Sequence, residues 1–236
     1  MDGQADGSIG DRVRFVLDRI RRTAQVSGRG WESVRLVAAT KTVPVERIRE
    51  AIAAGLRFAG ENRVQEALPK IEALQGEQIR WHFIGQLQRR KVRDVVGVFD
   101  LIHSVDSLEL ASEIDRRAEA AGCRQDVLLE VNVAGETTKA GFHPDRLKEI
   151  LPRVCGLRHL DVKGLMTIPP AVDKPERARP YFRRLRELAQ QLSGQGLQTV
   201  SFGELSMGMS NDYVVAIEEG ATMVRLGTAI FGTRHA

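Results

Sequence analysis

One lysine of this chain has the sequence surroundings of a reactive amine. Lys41 follows the apolar segment 37–39 and precedes Thr-Val-Pro at 42–44, so its side chain is expected at the edge of an apolar wall. Desolvation favours the neutral form of a lysine, and a neutral amine can attack a carbonyl to form a Schiff base. The structural alternative is a lysine that extends from a rim into solvent or pairs with Glu61.

Two loops near the C-terminus have the composition of an anion-binding site. The first reads Ser-Met-Gly-Met-Ser at 206–210, and the second begins Gly-Thr-Ala at 227–229. Small residues allow close approach of backbone N–H groups to an anion, and Ser210 is placed to cap a helix that begins near Asn211. Ordinary turn and capping chemistry is the alternative for each loop taken alone.

Other polar residues in apolar segments are candidates for the same site. Arg225 lies in Met-Val-Arg-Leu at 223–226, and a buried guanidinium needs an acceptor. A ring nitrogen, a carboxylate or a phosphate could supply it, with Glu204 as the internal alternative. His82 and His103 are weaker candidates, because a histidine at a strand end is more often structural. No spacing of histidines or carboxylates predicts a metal site, and no nucleophile elbow, P-loop or dinucleotide fingerprint is present.

Eight apolar segments of strand length alternate with segments of helical periodicity. The predicted strands are 35–41, 57–62, 80–85, 100–105, 126–132, 162–167, 199–206 and 223–226. Their Val, Leu, Ile and Phe content is typical of strands that are buried on both faces. The predicted helices are 44–55, 63–75, 87–96, 107–121, 144–154, 175–193 and 211–219, preceded by an extra helix at 11–24.

This alternation over 236 residues predicts an α/β fold, a (β/α)8 TIM-type barrel with an extra N-terminal helix, with a doubly wound sheet as the alternative. We expect a flexible segment at 1–9 and a single domain at 10–236. In either fold the polar strand ends converge on one mouth, and in barrels the loops after the seventh and eighth strands often bind phosphate.

The composition disfavours a membrane protein, a secreted protein and a nucleic-acid-binding protein. No run approaches the roughly 18 apolar residues of a membrane span, and the polar N-terminus has no apolar signal region, so we expect a cytoplasmic protein with no membrane partner. The net charge of +4 is spread over helical segments that mix arginine with acidic residues, which indicates solvated faces. Aromatic residues make up 5% of the chain, which disfavours a stacking surface for single-stranded nucleic acid.

Ordered motifs along nearly the whole chain resemble those of the pyridoxal phosphate homeostasis proteins. They are Ala-Ala-Thr-Lys-Thr-Val at 38–43, Gly-Glu-Asn-Arg-Val-Gln-Glu at 60–66, Trp-His-Phe-Ile-Gly-Gln-Leu-Gln at 81–88, Ile-His-Ser-Val-Asp at 102–106, Gly-Leu-Met-Thr-Ile-Pro at 164–169, Leu-Ser-Met-Gly-Met-Ser at 205–210 and Val-Arg-Leu-Gly-Thr-Ala-Ile-Phe-Gly at 224–232. The resemblance implies a barrel like the N-terminal domain of alanine racemase, with pyridoxal 5'-phosphate (PLP) held as a Schiff base on Lys41.

The resemblance also implies roles for individual residues at the cofactor site. Arg225 would face the pyridine nitrogen of PLP, and no catalytic residue is assigned. The phosphate would be held by Ser206, Gly227 and Thr228, with Ser210 as a weaker candidate. The pocket would be lined by Asn62, His82 and Met166.

The function that these implications favour is a carrier that holds PLP and supplies or buffers it. A cationic partner would keep the pyridine nitrogen unprotonated and weaken PLP as an electron sink. The sequence ends four residues after Gly232, which we expect to leave no room for the second domain that gives the related racemases their tyrosine base.

The alternatives are a weak PLP-dependent amino-acid racemase, a Schiff-base aldolase and, last, an RNA-binding protein. Expected partners are PLP and apo PLP-dependent enzymes; we expect a monomer, with a dimer as the alternative.

Overall fold

Eight parallel strands close into a barrel and pair in chain order, the last one with the first. The computed structural model describes residues 7–193 and 200–233. Its strands are β1 Arg35–Ala39, β2 Phe58–Glu61, β3 Arg80–Phe83, β4 Leu101–Val105, β5 Gln125–Glu130, β6 Leu160–Met166, β7 Val200–Ser206 and β8 Met223–Leu226. The predicted barrel is therefore confirmed, and the doubly wound alternative is wrong.

Helices occupy most of the connections between these strands. They are α1 Ile9–Val26, α2 Val45–Ala53, α3 Val64–Ala73, α4 Leu108–Ala120, α5 Pro144–Cys155, α6 Arg179–Ser193, α7 Tyr213–Glu218 and α8 Thr228–Phe231, with 3-10 helices at Trp31–Ser33, Arg89–Asp94 and Pro175–Ala178. None of the described helices has the length and apolar character that a bilayer span requires.

The barrel separates the core into two regions. A large cluster of apolar side chains fills the space between the strands and the helices, and a small cluster fills the barrel interior. The interior cluster consists of Val37, Leu101, Leu128, Met166 and Met223. Because side chains two residues apart share a face of a strand, these residues mark the inward register of β1, β4, β5, β6 and β8.

The extra N-terminal helix, α1, is longer than the sequence indicates. Ser8 caps it through a capping box with Asp11, in which the Ser8 hydroxyl accepts from the Asp11 N–H and the Asp11 carboxylate accepts from the Ser8 N–H. Ile9 is thus the first residue of α1 rather than the last of a flexible segment, and residues 1–6 of that segment lie outside the described residues. The apolar face of α1 packs against α2, α7 and α8, beside the junction of β8 and β1.

The segment predicted as a helix at 87–96 forms the 3-10 helix Arg89–Asp94 instead. Its hydrogen bonds span three residues, as from Lys91 N–H to the Gln88 carbonyl oxygen at 2.8 Å. Gly97, with φ 76°, then turns the chain into the short approach to β4. Arg90 and Lys91 of this segment lie in the wall of a cavity that also includes Asn62 and Gln86.

Three arginines of α6 pair with Glu218 of α7 and with Glu219, the residue that follows it. Arg179, Arg183 and Arg186 place guanidinium nitrogens 3.2, 3.1 and 2.9 Å from the buried carboxylate of Glu219. Arg179 also contacts Glu218 at 2.5 Å. This arginine cluster therefore joins two elements of the barrel wall.

Candidate functional site

Lys41 lies at the mouth of the barrel, two residues beyond the end of β1 and in the inward register of Val37. Its side chain is half-buried, and its ammonium group makes no hydrogen bond or ion pair with any residue the structure describes. The alternative pairing with Glu61 is wrong, because the Glu61 carboxylate is bound elsewhere. The amine is thus available to a ligand.

A buried polar cluster fixes the backbone next to this lysine. Lys70 donates from Nζ to Glu61 Oε1 and to the carbonyl oxygen of Thr40, each at 2.7 Å, and the Thr40 hydroxyl donates to the same carboxylate oxygen at 2.7 Å. Glu61 and Thr40 are fully buried. We call these residues the Thr40–Glu61–Lys70 cluster. It binds the hydroxyl and the carbonyl oxygen of the residue that precedes Lys41, so it positions that lysine.

The residue after Lys41 has a strained backbone. Thr42 has φ 62°, the left-handed region that β-branched residues rarely adopt. Its hydroxyl donates to the Lys41 carbonyl oxygen at 2.6 Å, and its N–H donates to Glu66 Oε2 at 3.3 Å. Strain of this kind persists where surrounding contacts impose it and is frequent at ligand sites.

A cavity of about 520 Å³ joins Lys41 to the second predicted anion loop. We call it the Lys41 cavity; its wall includes Lys41, Thr42, Arg47, Gly227 and Thr228. Gly227 and Thr228 come directly after β8, which pairs with β1. The fold thus brings together residues that are nearly 190 positions apart in the sequence.

The first predicted anion loop meets the second through Ser210. The Ser210 hydroxyl accepts from the N–H of Ala229 at 3.4 Å, so it faces the start of α8 instead of capping α7, which begins at Tyr213. Gly208 makes this approach possible: its φ is 92°, and a Cβ there would lie 2.5 Å from the Cβ of Ala216.

Ser206 points away from this loop and into the barrel, where it contacts Arg225. Arg225 Nη1 donates to the Ser206 hydroxyl at 2.5 Å and to its carbonyl oxygen at 2.9 Å, while Nη2 donates to the Thr167 carbonyl oxygen at 2.9 Å. The expected phosphate role of Ser206 is therefore corrected, because its fully buried hydroxyl is already bound. Glu204, the alternative partner for Arg225, pairs with Arg35 instead.

A pair of buried histidines extends this contact through the barrel interior. His103 Nδ1 lies 2.9 Å from the Ser206 hydroxyl oxygen, and His103 Nε2 lies 3.0 Å from His82 Nδ1. Since the hydroxyl accepts from Arg225, the arrangement that uses every group has Ser206 donating to His103 and His103 donating to His82. We call this series the Arg225–His82 chain.

His82 does not occupy the pocket position expected for it. It borders a cavity at the opposite end of the barrel, together with Arg35, Arg80 and Asp126. Its partners across the sheet are Gly60 and Leu101, which places it level with the apolar interior. Ile84, two residues further along the same register, reaches a cavity at the mouth.

The charges of the Arg225–His82 chain follow from its burial. Burial lowers the pKa of His82 to about 3, with Arg35 and Arg80 adding to the effect. It also lowers the pKa of His103 well below 6.5, assisted by His82 and Arg225. Burial lowers the pKa of Arg225 to about 10, so at neutral pH the chain has one positive charge, on the guanidinium.

We expect both imidazoles of this chain to stay neutral from pH 8 to pH 5. The measurement is the pH dependence of their ring signals in the NMR spectrum of the folded protein, assigned with His82→Gln and His103→Gln variants. An unperturbed histidine changes charge near pH 6.5. A midpoint above pH 6 for either ring would show that the site has a second buried cation.

The two remaining candidates, Asn62 and Met166, lie at neighbouring cavities of the mouth. Asn62 contributes to a cavity of about 640 Å³ with Arg63, Gln86 and Arg90, and its buried amide oxygen has no hydrogen-bond partner among the described residues. Met166 lies at the end of β6, in the wall of a cavity of about 300 Å³. Both residues therefore line cavities other than the Lys41 cavity, and their contact with PLP stays a prediction.

Glu130 is a site residue that the sequence analysis missed. It ends β5 and lies in the wall of the 300 Å³ cavity, 8% exposed. Burial and the nearby Asp106 raise its pKa to about 7, and Arg225 opposes that shift. The signal was an acidic residue in the apolar run Val-Leu-Leu-Glu-Val at 127–131, two residues before Asn132.

Among the described residues no group of three or more His, Cys, Asp or Glu side chains is arranged to hold a metal ion.

Comparisons with known proteins agree with the barrel and its motifs. The family described as "Alanine racemase, N-terminal domain" matches residues 16–235. A pyridoxal phosphate homeostasis protein of Aquifex aeolicus is 51% identical over 224 residues, which are 95% of this chain and 97% of that protein. This chain belongs to the pyridoxal phosphate homeostasis protein family. The resemblance found in the sequence motifs is thereby confirmed.

Two solved structures of similar chains agree with this family in fold. A protein of Bifidobacterium adolescentis is 42% identical, with a TM-score of 0.87, over 95% of this chain and 94% of the other. PipY of Synechococcus elongatus, whose structure has PLP bound, is 39% identical, with a TM-score of 0.79, over 91% of this chain and 100% of PipY. The family member PipY thus binds PLP on a barrel of this fold.

Proposed function

We propose that this protein binds PLP covalently, as a Schiff base on Lys41, and acts in PLP homeostasis by holding the cofactor and supplying or buffering it. The observation that carries the proposal is an amine without a partner among the described residues, in a cavity that it shares with Gly227 and Thr228. The PLP-bound structure of PipY supports the choice of ligand. When bound, PLP supplies an aldehyde that reacts with amines and a ring that withdraws electrons.

The residues present fit the phosphate of PLP. Gly227 and Thr228 offer backbone N–H groups and a hydroxyl in the Lys41 cavity, and Ser210 adds a hydroxyl beside the start of α8. We assign the phosphate to these three residues, in the loops that bind phosphate in many barrels. Asn62 and Met166 belong to the proposal as contacts at the adjoining cavities.

Arg225 favours holding the cofactor over catalysis on it. The proposal has its guanidinium facing the ring nitrogen. Since the group stays cationic and already donates to Ser206 and Thr167, it cannot accept a hydrogen bond from a protonated ring nitrogen, as a carboxylate in this position would. An unprotonated ring stabilises carbanions poorly, so we propose a carrier without a dedicated reaction. The cytoplasmic location, the monomeric state and the apo-enzyme partners remain predictions.

Transfer of PLP to an apo enzyme tests the carrier role. The PLP-loaded protein is mixed with an apo PLP-dependent aminotransferase, and the recovered aminotransferase activity is followed in the presence of a phosphatase that destroys free PLP. We expect the activity to recover more completely than with the same amount of free PLP. Equal recovery, or exchange of the α-proton of alanine faster than with free PLP, would contradict the proposal.

A further inference from the structure

A second cavity at the barrel mouth has a buried carboxyl group that no described residue satisfies. We call it the Glu130 cavity; it has a volume of about 300 Å³, and its wall includes Ile84, Ser104, Glu130, Asn132, Met166 and Ile168. Glu130 is in the inward register of Leu128. Its carboxyl group makes no hydrogen bond or ion pair within residues 7–193 and 200–233. A buried carboxylate without a donor is unfavourable, so the site calls for a donor from outside the chain.

The other polar groups of the wall that are not exposed are already bound within the protein. The Ser104 hydroxyl donates to the Gly85 carbonyl oxygen at 2.5 Å. The Asn132 amide donates to the Glu136 carbonyl oxygen at 2.7 Å and accepts from the N–H of Gly135 at 2.9 Å. Lys139 pairs with Glu136 at 2.9 Å. The carboxyl of Glu130 is therefore the buried group of this wall with capacity for a ligand.

The chemistry of the cavity defines the ligand. Ile84, Met166 and Ile168 give it an apolar wall that suits a short hydrocarbon chain. A carboxylate in such surroundings is best satisfied by a charged donor. Arg225, whose positive charge acts on Glu130, already donates to Ser206 and Thr167. A metal ion would need more acidic or histidine ligands than this wall provides.

We propose that the Glu130 cavity binds the ammonium group of a small amine or amino acid, with Glu130 as its counter-ion and the apolar wall around its carbon chain. This goes beyond the proposed function, because binding at Glu130 requires neither PLP nor Lys41. It gives the protein a site at the mouth for amines, the class of molecule that reacts with the aldehyde group of PLP.

Binding at this site depends on pH because Glu130 must be ionised. Its pKa is raised to about 7 by burial and by Asp106, the residue that follows β4, and Arg225 of β8 acts in the opposite direction. Lys139 is the other charged group at the cavity, and β3 and β6 contribute no titratable residue to its wall. With that pKa the ionised fraction rises about tenfold between pH 6 and pH 8.

Calorimetric titration of the PLP-free full-length protein with n-propylammonium tests the site. We expect binding that strengthens about tenfold from pH 6 to pH 8, and no binding of 1-propanol, which has the same propyl chain without the charge. Glu130→Gln should abolish binding of n-propylammonium. Asp106→Asn should move the pH midpoint downward, since it removes a negative charge that raises the pKa of Glu130.

Several results would overturn the proposal. They are n-propylammonium binding that Glu130→Gln leaves intact, binding that does not change with pH, preferential binding of propionate, and no binding by the unsubstituted protein at pH 8. If Glu130→Gln fails to fold, the Asp106→Asn shift still decides the question. Because PLP is absent, none of these results depends on whether Lys41 binds the cofactor.

Discussion

Replacing Lys70 by methionine is expected to lower the free energy of unfolding by about 3–5 kcal/mol, the range for removing one partner of a buried ion pair. The ammonium of Lys70 is the cation 2.7 Å from Glu61, which is fully buried and has a second carboxylate oxygen without a hydrogen-bond partner among the described residues. The variant would leave that charge uncompensated and release the carbonyl oxygen of Thr40. Urea unfolding followed by circular dichroism measures the change.

Two further variants make this result specific. Lys148 lies exposed on α5, and Lys148→Met should change stability by no more than about 0.5 kcal/mol. Adding Glu61→Leu to Lys70→Met should recover part of the lost stability, because no buried charge then remains. If Lys70→Met and Lys148→Met were equally stable, the Thr40–Glu61–Lys70 cluster would not be holding the backbone before Lys41.

Replacing Lys41 by alanine is expected to abolish covalent binding of PLP. The side chain is half-buried at the mouth and has no partner among the described residues, so its loss should remove the amine with little effect on stability. The unsubstituted protein, incubated with PLP and passed over a desalting column, should keep the absorbance of a Schiff base, and Lys41→Ala should not. Lys148→Ala is the matched control and should behave like the unsubstituted protein.

The same experiment distinguishes folding from binding. The thermal unfolding transition of Lys41→Ala without PLP should match that of the unsubstituted protein, since the lysine makes no ion pair with the described residues. Addition of PLP should then raise the transition of the unsubstituted protein more than that of the variant, because a ligand stabilises the state that binds it. Retention of a reducible chromophore by Lys41→Ala would contradict the assignment.

The sequence was sufficient to predict that residues directly after a strand reach the mouth. Lys41, Gly227 and Thr228 each come after an apolar run with the composition of a buried strand, and parallel pairing of β8 with β1 brings their loops to one cavity. Because parallel strands all end on the same side of the barrel, strand order alone determines this part of the site.

Depth inside the barrel could not be predicted in the same way. Side chains alternate between the two faces of a strand, so the sequence indicates that Ser206 and His82 point inward. Their position along the barrel axis, however, depends on the stagger between strands. That stagger places His82 opposite Leu101, below the mouth, and brings Ser206 to Arg225. Contacts between distant residues, such as those of Glu61 with Lys70 and Thr40, follow from the closed barrel and have no short-range signal.

Peptide mapping after borohydride reduction tests the central claim most directly. The protein is incubated with PLP, reduced so that any Schiff base becomes a stable secondary amine, digested and analysed by mass spectrometry. We predict that the phosphopyridoxyl group is found on the peptide that contains Lys41. A label on another lysine, such as Lys139 at the Glu130 cavity, with Lys41 unmodified would contradict the account.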